Sequence, residues 1–431
     1  MVFERKEYLE KLVSRKGNGF VKIITGVRRC GKSYLLFRLY KKRLMRSGIK
    51  ADQFIEIALD DDRNEPLRDP RELSDSIRRR IRGRKPYFLF IDEIQLCHEL
   101  PLENGAKGTF TFCDALNGLM KIPNLDIYVT GSNSRMLSKD VATHFRDRGD
   151  VVQVHPLTFA EYHEAFKGDA YCEWNDYLTF GGMPEAILKK TTEERSAYLA
   201  GLFESTYIRD IVERYGLRDD YALGRTIEVV SSVAGSLTNP TKLAHAMQNE
   251  LGVRISIPTV KNYLDYLTES FLFRKADRYD VKGRRYLDYP SKYYAEDVGL
   301  RNARLNFRQT EVDHLMENVI YNELIVRGAN VDVGVVETRE TVDGKQVRRQ
   351  YEIDFIVNRG REKIYIQSAY ALPTQRKRDQ ETASLEKSGD SFRKVVVVGV
   401  PQPKYTDEKG ITYVGVMDFL LDPSVLDDLL K

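Results

Sequence analysis

The sequence predicts a multidomain α/β protein whose N-terminal part contains a mostly parallel β-sheet. Over roughly the first 160 residues, short apolar runs alternate with helical stretches, as in chains that build a parallel sheet covered by helices. The apolar runs lack the alternation of a half-exposed strand, which is expected of strands buried on both faces. The chain has 431 residues, which at about 100–200 residues per domain corresponds to two to four domains.

The predicted elements follow one another in three blocks. Strands are expected at residues 21–25, 54–59, 87–91, 127–130 and 151–154, with helices at 34–46 and 70–82. From residue 157 to 225 the pattern is helical. Asn239 caps the first of two short helices, 241–250 and 258–268, and a hairpin with its turn at Lys282 and Gly283 follows. Helices followed by a hairpin are the layout of a winged helix-turn-helix. A separate α/β domain fills the remainder.

Composition excludes several classes of protein. Hydrophobic residues make up 42% of the chain, so a wholly disordered chain is excluded. Basic residues number 68 and acidic residues 64, and the net charge of +4 means that any basic partner surface must be local. No apolar run approaches the ~18 residues of a membrane helix, so no membrane contact is expected. The four cysteines and six histidines show no metal-site spacing, which favours a reduced, cytoplasmic protein.

Residues 26–33 read GVRRCGKS and fit the phosphate-loop pattern G-x-x-x-x-G-K-[ST] without a mismatch. A predicted strand precedes this segment and a helix follows it, as a phosphate loop requires. Glycines let backbone amides approach the phosphates, Lys32 reaches the β- and γ-phosphates, and the Ser33 hydroxyl ligates Mg²⁺. The sequence therefore predicts nucleotide-binding residues at Gly26, Val27, Arg28, Arg29, Cys30, Gly31, Lys32, Ser33 and Tyr34.

Two acidic residues follow the predicted strand at 87–91. We expect Asp92 to hold Mg²⁺ and Glu93 to polarise the attacking water, although a solvated acidic turn is the alternative. After the fourth strand, Ser132 or Asn133 is a candidate sensor of the γ-phosphate, with a helix cap as the alternative.

Arg146 and Arg148 precede the fifth predicted strand. An arginine supplied to a neighbouring subunit's nucleotide would stabilise transition-state charge, and this reading implies a homo-oligomer. A surface arginine, or one paired with Asp147, is the alternative.

These motifs resemble those of prokaryotic AAA+ ATPases with a P-loop of the GxRRxGKS kind. The resemblance rests on residues 26–33, 92–95, 130–132, 146, 148, 155–159, 181–184, 207–211 and 292–300. It covers nearly the whole chain, and it implies ATP rather than GTP as the nucleotide, a helical lid and a C-terminal domain typical of such proteins. The cellular role of this family is largely unassigned.

Basic residues in the winged-helix region point to DNA as a partner. On the second predicted helix, Val260, Leu264 and Leu267 face the core, and the outward residues are Thr259, Lys261 and Asn262. The turn at Lys282–Arg285 forms a basic wing. A protein contact is the alternative partner for this surface. The basic run at 78–85 is better explained as a solvated helix end.

The last domain resembles the restriction-endonuclease-like fold. Its first helix carries Glu317 and Glu323, and Asp354 matches the metal-binding aspartate of that fold. The following strand should end in E-x-K, but Gln367 and Ala369 stand at those positions. Because metal-dependent hydrolysis needs clustered carboxylates, nuclease activity is not expected.

The predicted protein is thus an ATPase with four parts. These are a P-loop core at 1–160, a helical lid at 161–225, a winged helix-turn-helix at 226–305 and an inactive endonuclease-like domain at 306–431. Hydrolysis of MgATP would drive or switch contacts with DNA or a protein partner. An ATP-regulated binding module with negligible turnover is one alternative, and a DNA-cleaving ATPase is a disfavoured second.

Overall fold

The structure is a computed structural model that describes residues 3–102, 108–132, 149–218, 220–342 and 345–430. The chain divides into one unit of residues 1–156 with 269–271 and a second of residues 157–268 with 272–431. Among the helices that the described residues form, none has both the length and the apolar character needed to cross a bilayer.

A five-stranded parallel sheet forms the centre of the first unit, as the sequence predicts. Its strand order is β2–β3–β6–β1–β7, so β1 lies between two strands that come much later in the chain. All residues of β1 and β3 are buried, which explains why neither shows apolar–polar alternation. The strands are β1 Val21–Thr25, β2 Phe54–Ala58, β3 Tyr87–Asp92, β6 Leu125–Gly131 and β7 Gly149–Gln153, and a short antiparallel pair is formed by β4 Leu100–Pro101 and β5 Thr109–Phe110.

Within the described residues, four helices accompany this sheet. Asp69 begins α3, because its carboxylate accepts hydrogen bonds from the N–H groups of Arg71 and Glu72, and Pro70 occupies the first helical position. The helices are α1 Lys6–Ser14, α2 over residues 32–46 with a π-helical segment Leu35–Tyr40, α3 Pro70–Arg80 and α4 Phe112–Leu119.

A buried salt bridge links β1 to β6 inside the sheet. Lys22 on β1 is fully buried, and its Nζ contacts Asp126 Oδ1 on β6 at 2.5 Å. Tyr128 donates to the other oxygen of Asp126 at 2.8 Å, and its hydroxyl lies 2.7 Å from that of Tyr40. A register slip between β1 and β6 would leave this ammonium buried without its partner, so the pair favours the observed register.

The second unit contains an eight-stranded mixed sheet of order β14–β15–β13–β12–β11–β10–β8–β9. The predicted winged-helix hairpin, β8 and β9, is part of it, because β8 pairs in parallel with β10 from Arg278↔Val333 to Asp280↔Val335. The two predicted C-terminal parts therefore share one sheet. Its strands are β8 Phe273–Asp280, β9 Arg285–Ala295, β10 Asn330–Val342, β11 Lys345–Arg359, β12 Glu362–Ala369, β13 Arg393–Val398, β14 Tyr405–Thr406 and β15 Ile411–Gly415.

The second unit begins with helices over the region 157–225, where the sequence predicts a helical pattern. Asn239 accepts a hydrogen bond from the N–H of Lys242 at 2.8 Å, so it caps α10 as predicted. The helices are α5 Phe159–Phe166, α6 Ala170–Phe180, α7 Pro184–Ile187, α8 over residues 192–215 with a π-helical segment Phe203–Ile208, α9 Asp220–Ser232, α10 Pro240–Leu251, α11 Ile257–Glu269, α12 Val298–Arg304, α13 Val312–Val326, α14 Gln375–Glu386, α15 Val416–Leu421 and α16 Val425–Leu430.

A buried carboxylate joins the end of α6 to the start of α12. Asp297 accepts hydrogen bonds from the N–H groups of Gly182 at 2.7 Å and Leu300 at 2.9 Å. Burial raises the pKa of this carboxyl to about 6. Asn302 adds hydrogen bonds from its amide to the carbonyl oxygens of Leu178 and Thr179. The segments around residues 181–184 and 295–300 are therefore packing and capping elements.

Candidate nucleotide site

The candidate phosphate loop connects β1 to α2 and needs glycine at its first position. Gly26 has φ 146°, and a Cβ there would lie 2.0 Å from the carbonyl oxygen of Val154, directly after β7. Gly31 has φ 100°, and Arg29 also adopts a left-handed conformation with φ 67°. The Cys30 thiol donates a hydrogen bond to Val154 O at 3.3 Å and so connects the loop to the residue that follows β7.

Lys32 lies inside this loop. Its side chain is buried, and Nζ donates to the carbonyl oxygens of Gly26 and Val27 at 3.0 Å each. An ammonium in this place lies beside the backbone amides at the N-terminus of α2, which is the arrangement that binds phosphate.

Ser33 and Asp92, predicted as the metal-binding pair, are in direct contact. The Ser33 hydroxyl donates to Asp92 Oδ1 at 3.0 Å, although the two residues are 59 positions apart. Thr130 on β6 donates a short hydrogen bond to the same oxygen, and its own Oγ1 accepts from the N–H of Glu93 at 3.1 Å. Hydroxyl and carboxylate oxygens are ligands that Mg²⁺ prefers, so the side chains of Ser33 and Asp92 fit that cation.

Glu93 is half-buried at the end of β3, and its φ of 53° places it in the left-handed region. Gln95 donates from its amide to Glu93 Oε2 and, at 3.3 Å, to Ser132 Oγ. Ser132 Oγ also lies 3.4 Å from Glu93 Oε2, near the limit for a hydrogen bond. The structure thus places Ser132 beside Glu93, and its role as a sensor of the γ-phosphate stays a prediction.

Gln95 and Thr130 lie in segments that carry the family resemblance, but the sequence interpretation assigned no role to either residue. Gln95 lies in the short turn Ile94–Leu96, which folds its amide back onto Glu93. Thr130 is adjacent to Asp92 because β3 and β6 are neighbouring parallel strands. The sequence feature that could have assigned both residues to the site is the presence of polar residues directly after β3 and at the end of β6.

The remaining predicted loop residues have different environments. Val27 and Cys30 are buried, and Arg28 is half-buried. Arg29 and Tyr34 are exposed. Asn133, Arg146 and Arg148 lie outside the described residues, so their roles stay predictions.

The candidate DNA surface is exposed in the second unit. Val260, Leu264 and Leu267 face the core from α11, and Lys261 and Asn262 are exposed, as predicted. Thr259, also predicted to face outward, is half-buried. The turn between β8 and β9 exposes Lys282, Arg284 and Arg285. Because these side chains are exposed, they are accessible to a partner molecule.

The candidate endonuclease-like residues are only partly brought together. Glu317 and Asp354 meet in a buried cluster, whereas Glu323 pairs with Arg327 at 2.6 Å. Gln367 Oε1 accepts a hydrogen bond from the N–H of Asp354 at 3.3 Å.

Comparison with known proteins agrees with the geometry of the phosphate loop. A family model described as an AAA domain matches residues 18–163, and a domain of unknown function, DUF8612, matches residues 172–311. A protein of Haemophilus influenzae described as uncharacterized is 31% identical over 430 residues, and the match covers 97% of this chain and 99% of that protein. The chain belongs to its family of AAA-domain proteins. An uncharacterized protein of Methanocaldococcus jannaschii is 29% identical over 392 residues, and the match covers 88% of this chain and 80% of that protein.

Solved structures resemble this AAA-domain protein only distantly. The ORC1 protein of Aeropyrum pernix, solved in complex with DNA, is 12% identical with a TM-score of 0.27, and the match covers 71% of this chain and 93% of that one. Cdc6p of Pyrobaculum aerophilum is also 12% identical with a TM-score of 0.27, covering 73% of this chain and 93% of its own. At these scores the likeness supports no conclusion about function.

Proposed function

We propose that this AAA-domain protein hydrolyses MgATP and uses the nucleotide state to drive or switch contacts of its second unit with DNA or a protein. The observation that carries the proposal is the direct contact between Ser33 and Asp92 next to the buried Lys32. A phosphate loop followed by this oxygen pair is suited to binding a triphosphate with its cation.

Each residue of the site has a defined task in this proposal. Backbone amides of the loop and Lys32 bind the phosphates, and Ser33 and Asp92 hold Mg²⁺, which supplies positive charge to the phosphate oxygens. Glu93 accepts a proton from the attacking water. Ser132 reports the γ-phosphate to Glu93, since the two side chains are neighbours. An arginine at position 146 or 148 completes the site of a neighbouring copy in a homo-oligomer.

The division into a P-loop core, lid, winged helix and endonuclease-like domain also remains our proposal. The exposed basic turn between β8 and β9 is the proposed DNA contact, because cations there would meet backbone phosphates. Gln367 and Ala369 replace the carboxylate and lysine of a nuclease, so we assign no cleavage to this unit. A cytoplasmic location rests on the cysteine pattern alone.

Removing Lys32 tests the proposal. Lys32→Ala should lower steady-state ATP hydrolysis by at least about a hundredfold, because the phosphates lose their buried cation. Phosphate release is measured for the full chain with and without single- and double-stranded DNA. Lys42→Ala, an exposed lysine on the same helix, is the matched control and should retain wild-type turnover. Equal turnover in Lys32→Ala and wild type would refute the ATPase assignment.

The same measurement tests DNA as the partner. Stimulation of hydrolysis by DNA, with an affinity that falls steeply as salt rises, is expected if cations of the second unit bind phosphates. Absence of DNA binding at low salt would leave the protein partner as the supported alternative.

A second candidate function is an ATP-dependent binding switch with negligible turnover. The contacts of Gln95 and Ser132 with Glu93 favour it, because a carboxylate occupied by its own neighbours is less free to accept a proton from water. Turnover near background, together with an ATP-dependent change in particle size by light scattering, would support this function over the first.

A further inference from the structure

The second unit contains a cavity at the side of its eight-stranded sheet that carries the turn between β8 and β9. Its volume is about 560 Å³, within the range of cavities that hold small organic groups. Ile325 on α13 and Ala329 in the segment after it line the cavity together with Val331 and Ile356. All of its lining residues belong to the second unit, so none of them is part of the nucleotide site.

Strand pairing brings polar and aromatic side chains to this cavity. Tyr279 on β8 is directly opposite Tyr286 on β9, and Asn358 on β11 is directly opposite Lys363 on β12. Asp332 lies on β10, the strand between β8 and β11. All of these residues line the cavity. Neighbouring strands of one sheet therefore contribute one polar or aromatic residue each.

Two tyrosine rings form the aromatic part of the cavity. The ring centres of Tyr279 and Tyr286 are 5.2 Å apart and their planes make an angle of 68°, which is an edge-to-face pair. The Tyr286 side chain is 63% exposed, so a planar group from outside can reach its ring. Nucleobases stack on exposed aromatic rings of this kind, because every base has a π-face.

The polar groups of the cavity include both acceptors and donors of hydrogen bonds. Asp332 Oδ2 accepts a hydrogen bond from the Tyr286 hydroxyl at 3.2 Å and lies 3.5 Å from Asn358 Nδ2. Within the described part of the chain, Asp332 Oδ1 has no hydrogen-bond donor. Lys363 Nζ lies 5.4 Å from the ring centre of Tyr279. A ligand in the cavity can therefore donate to a carboxylate and accept from an ammonium group.

These two opposite charges favour a neutral planar ligand. Burial raises the pKa of Asp332, and the ammonium group of Lys363 opposes this rise, so the two charges act on each other. Lys363 disfavours a cationic ligand and Asp332 an anionic one. A nucleobase is neutral and carries donors and acceptors on its edge. Guanine fits best, because its neighbouring ring and amino N–H groups match a carboxylate and its O6 accepts a hydrogen bond from lysine.

We propose that this cavity holds one unpaired base of single-stranded DNA, with a preference for guanine, while the cations of the turn between β8 and β9 bind the neighbouring phosphates. The inference rests on the proposed function, because it names the form of DNA that the second unit binds. Tyr286 directly follows Arg285 of that turn, so the base and phosphate contacts are adjacent in the chain. In a duplex the bases are paired and stacked, and a base reaches the cavity only if its pair opens.

Fluorescence anisotropy of the full chain with labelled oligonucleotides tests this inference. The probes are an all-thymine strand, the same strand with one central guanine, and the duplex of the guanine strand. Wild type should bind the guanine strand at least about fivefold more tightly than either of the others. Tyr286→Ala should weaken binding of the guanine strand at least about fivefold, because stacking on one ring is lost. Asp332→Asn should remove the preference for guanine.

Tyr221→Ala is the matched control, because Tyr221 on α9 of the same unit is 62% exposed and does not line the cavity. It should bind every probe as wild type does. Lys282→Ala tests the phosphate contact separately and should weaken binding of all probes. If Lys282→Ala weakens binding but Tyr286→Ala does not, or if wild type binds the two strands equally, the cavity assignment is overturned and the proposed DNA contact stands. Absence of DNA binding by wild type at low salt overturns both.

Discussion

Glu93→Gln is expected to bind ATP with nearly wild-type affinity and to lose about two or more orders of magnitude in turnover. Glutamine has nearly the shape of glutamate but does not accept a proton from water at neutral pH. The left-handed backbone at position 93 and the contacts with Gln95 and Ser132 position this side chain, and an amide can retain hydrogen bonds there. Phosphate release gives turnover, and titration with a fluorescent ATP analogue gives affinity.

Glu99→Gln is the control for this exchange, because Glu99 is exposed in the segment that follows β3. It should leave both measurements unchanged. Wild-type turnover in Glu93→Gln would remove Glu93 from the proposed chemistry. Loss of ATP binding together with turnover would indicate instead that the residue maintains the shape of the site.

Gly299→Ala is expected to destabilise the second unit by about 3 kcal/mol or more, at the upper end of the range for overpacking. A Cβ at this position would lie 1.9 Å from Phe180 O, 2.2 Å from its carbonyl carbon and 2.8 Å from Gly181 N. All three are backbone atoms, so relief requires α12 to move away from the end of α6. Such a shift would also weaken the hydrogen bonds that Asp297 accepts from Gly182 and Leu300.

Thermal and urea unfolding of the full chain measure this effect. Gly201→Ala provides the comparison, because it is also a helical glycine and nothing lies within 4 Å of its added Cβ. That exchange should be neutral or stabilise the protein by about 0.5–1 kcal/mol, since alanine favours helix over glycine. Similar melting temperatures for the two variants would show that α12 is not closely packed on α6.

Local sequence patterns predicted most of the parallel sheet and several helix boundaries. Asn239 and Pro240 predicted the start of α10, because capping depends on residues within one turn. The pairing of β8 with β10 was not predictable in this way, since the paired residues are more than 50 positions apart. The salt bridge between Lys22 and Asp126 was not predictable from local patterns either, because the two residues are 104 positions apart.

The candidate site shows the same limit. The motif at residues 26–33 and the acidic strand end predicted Lys32, Ser33, Asp92 and Glu93, because glycine and lysine spacing directly reflects phosphate chemistry. Thr130 and Gln95 lie in segments that carry the family resemblance, but no role was predicted for either. The role of Thr130 depends on the register of β6 with β3, and that of Gln95 on a turn that the motif does not encode. Which arginine serves a neighbouring copy stays a prediction.

The pairing of β8 with β10 also determines where this protein can be divided. A fragment that stops at the predicted boundary, residue 305, would keep β8 and β9 but lose β10. The remaining strands would be an isolated two-stranded ribbon, which is marginally stable in water, with one newly uncovered edge. Uncovered edges recruit strands from other molecules. Dissection of the C-terminal half for crystallisation or binding assays should therefore keep both predicted parts in one polypeptide.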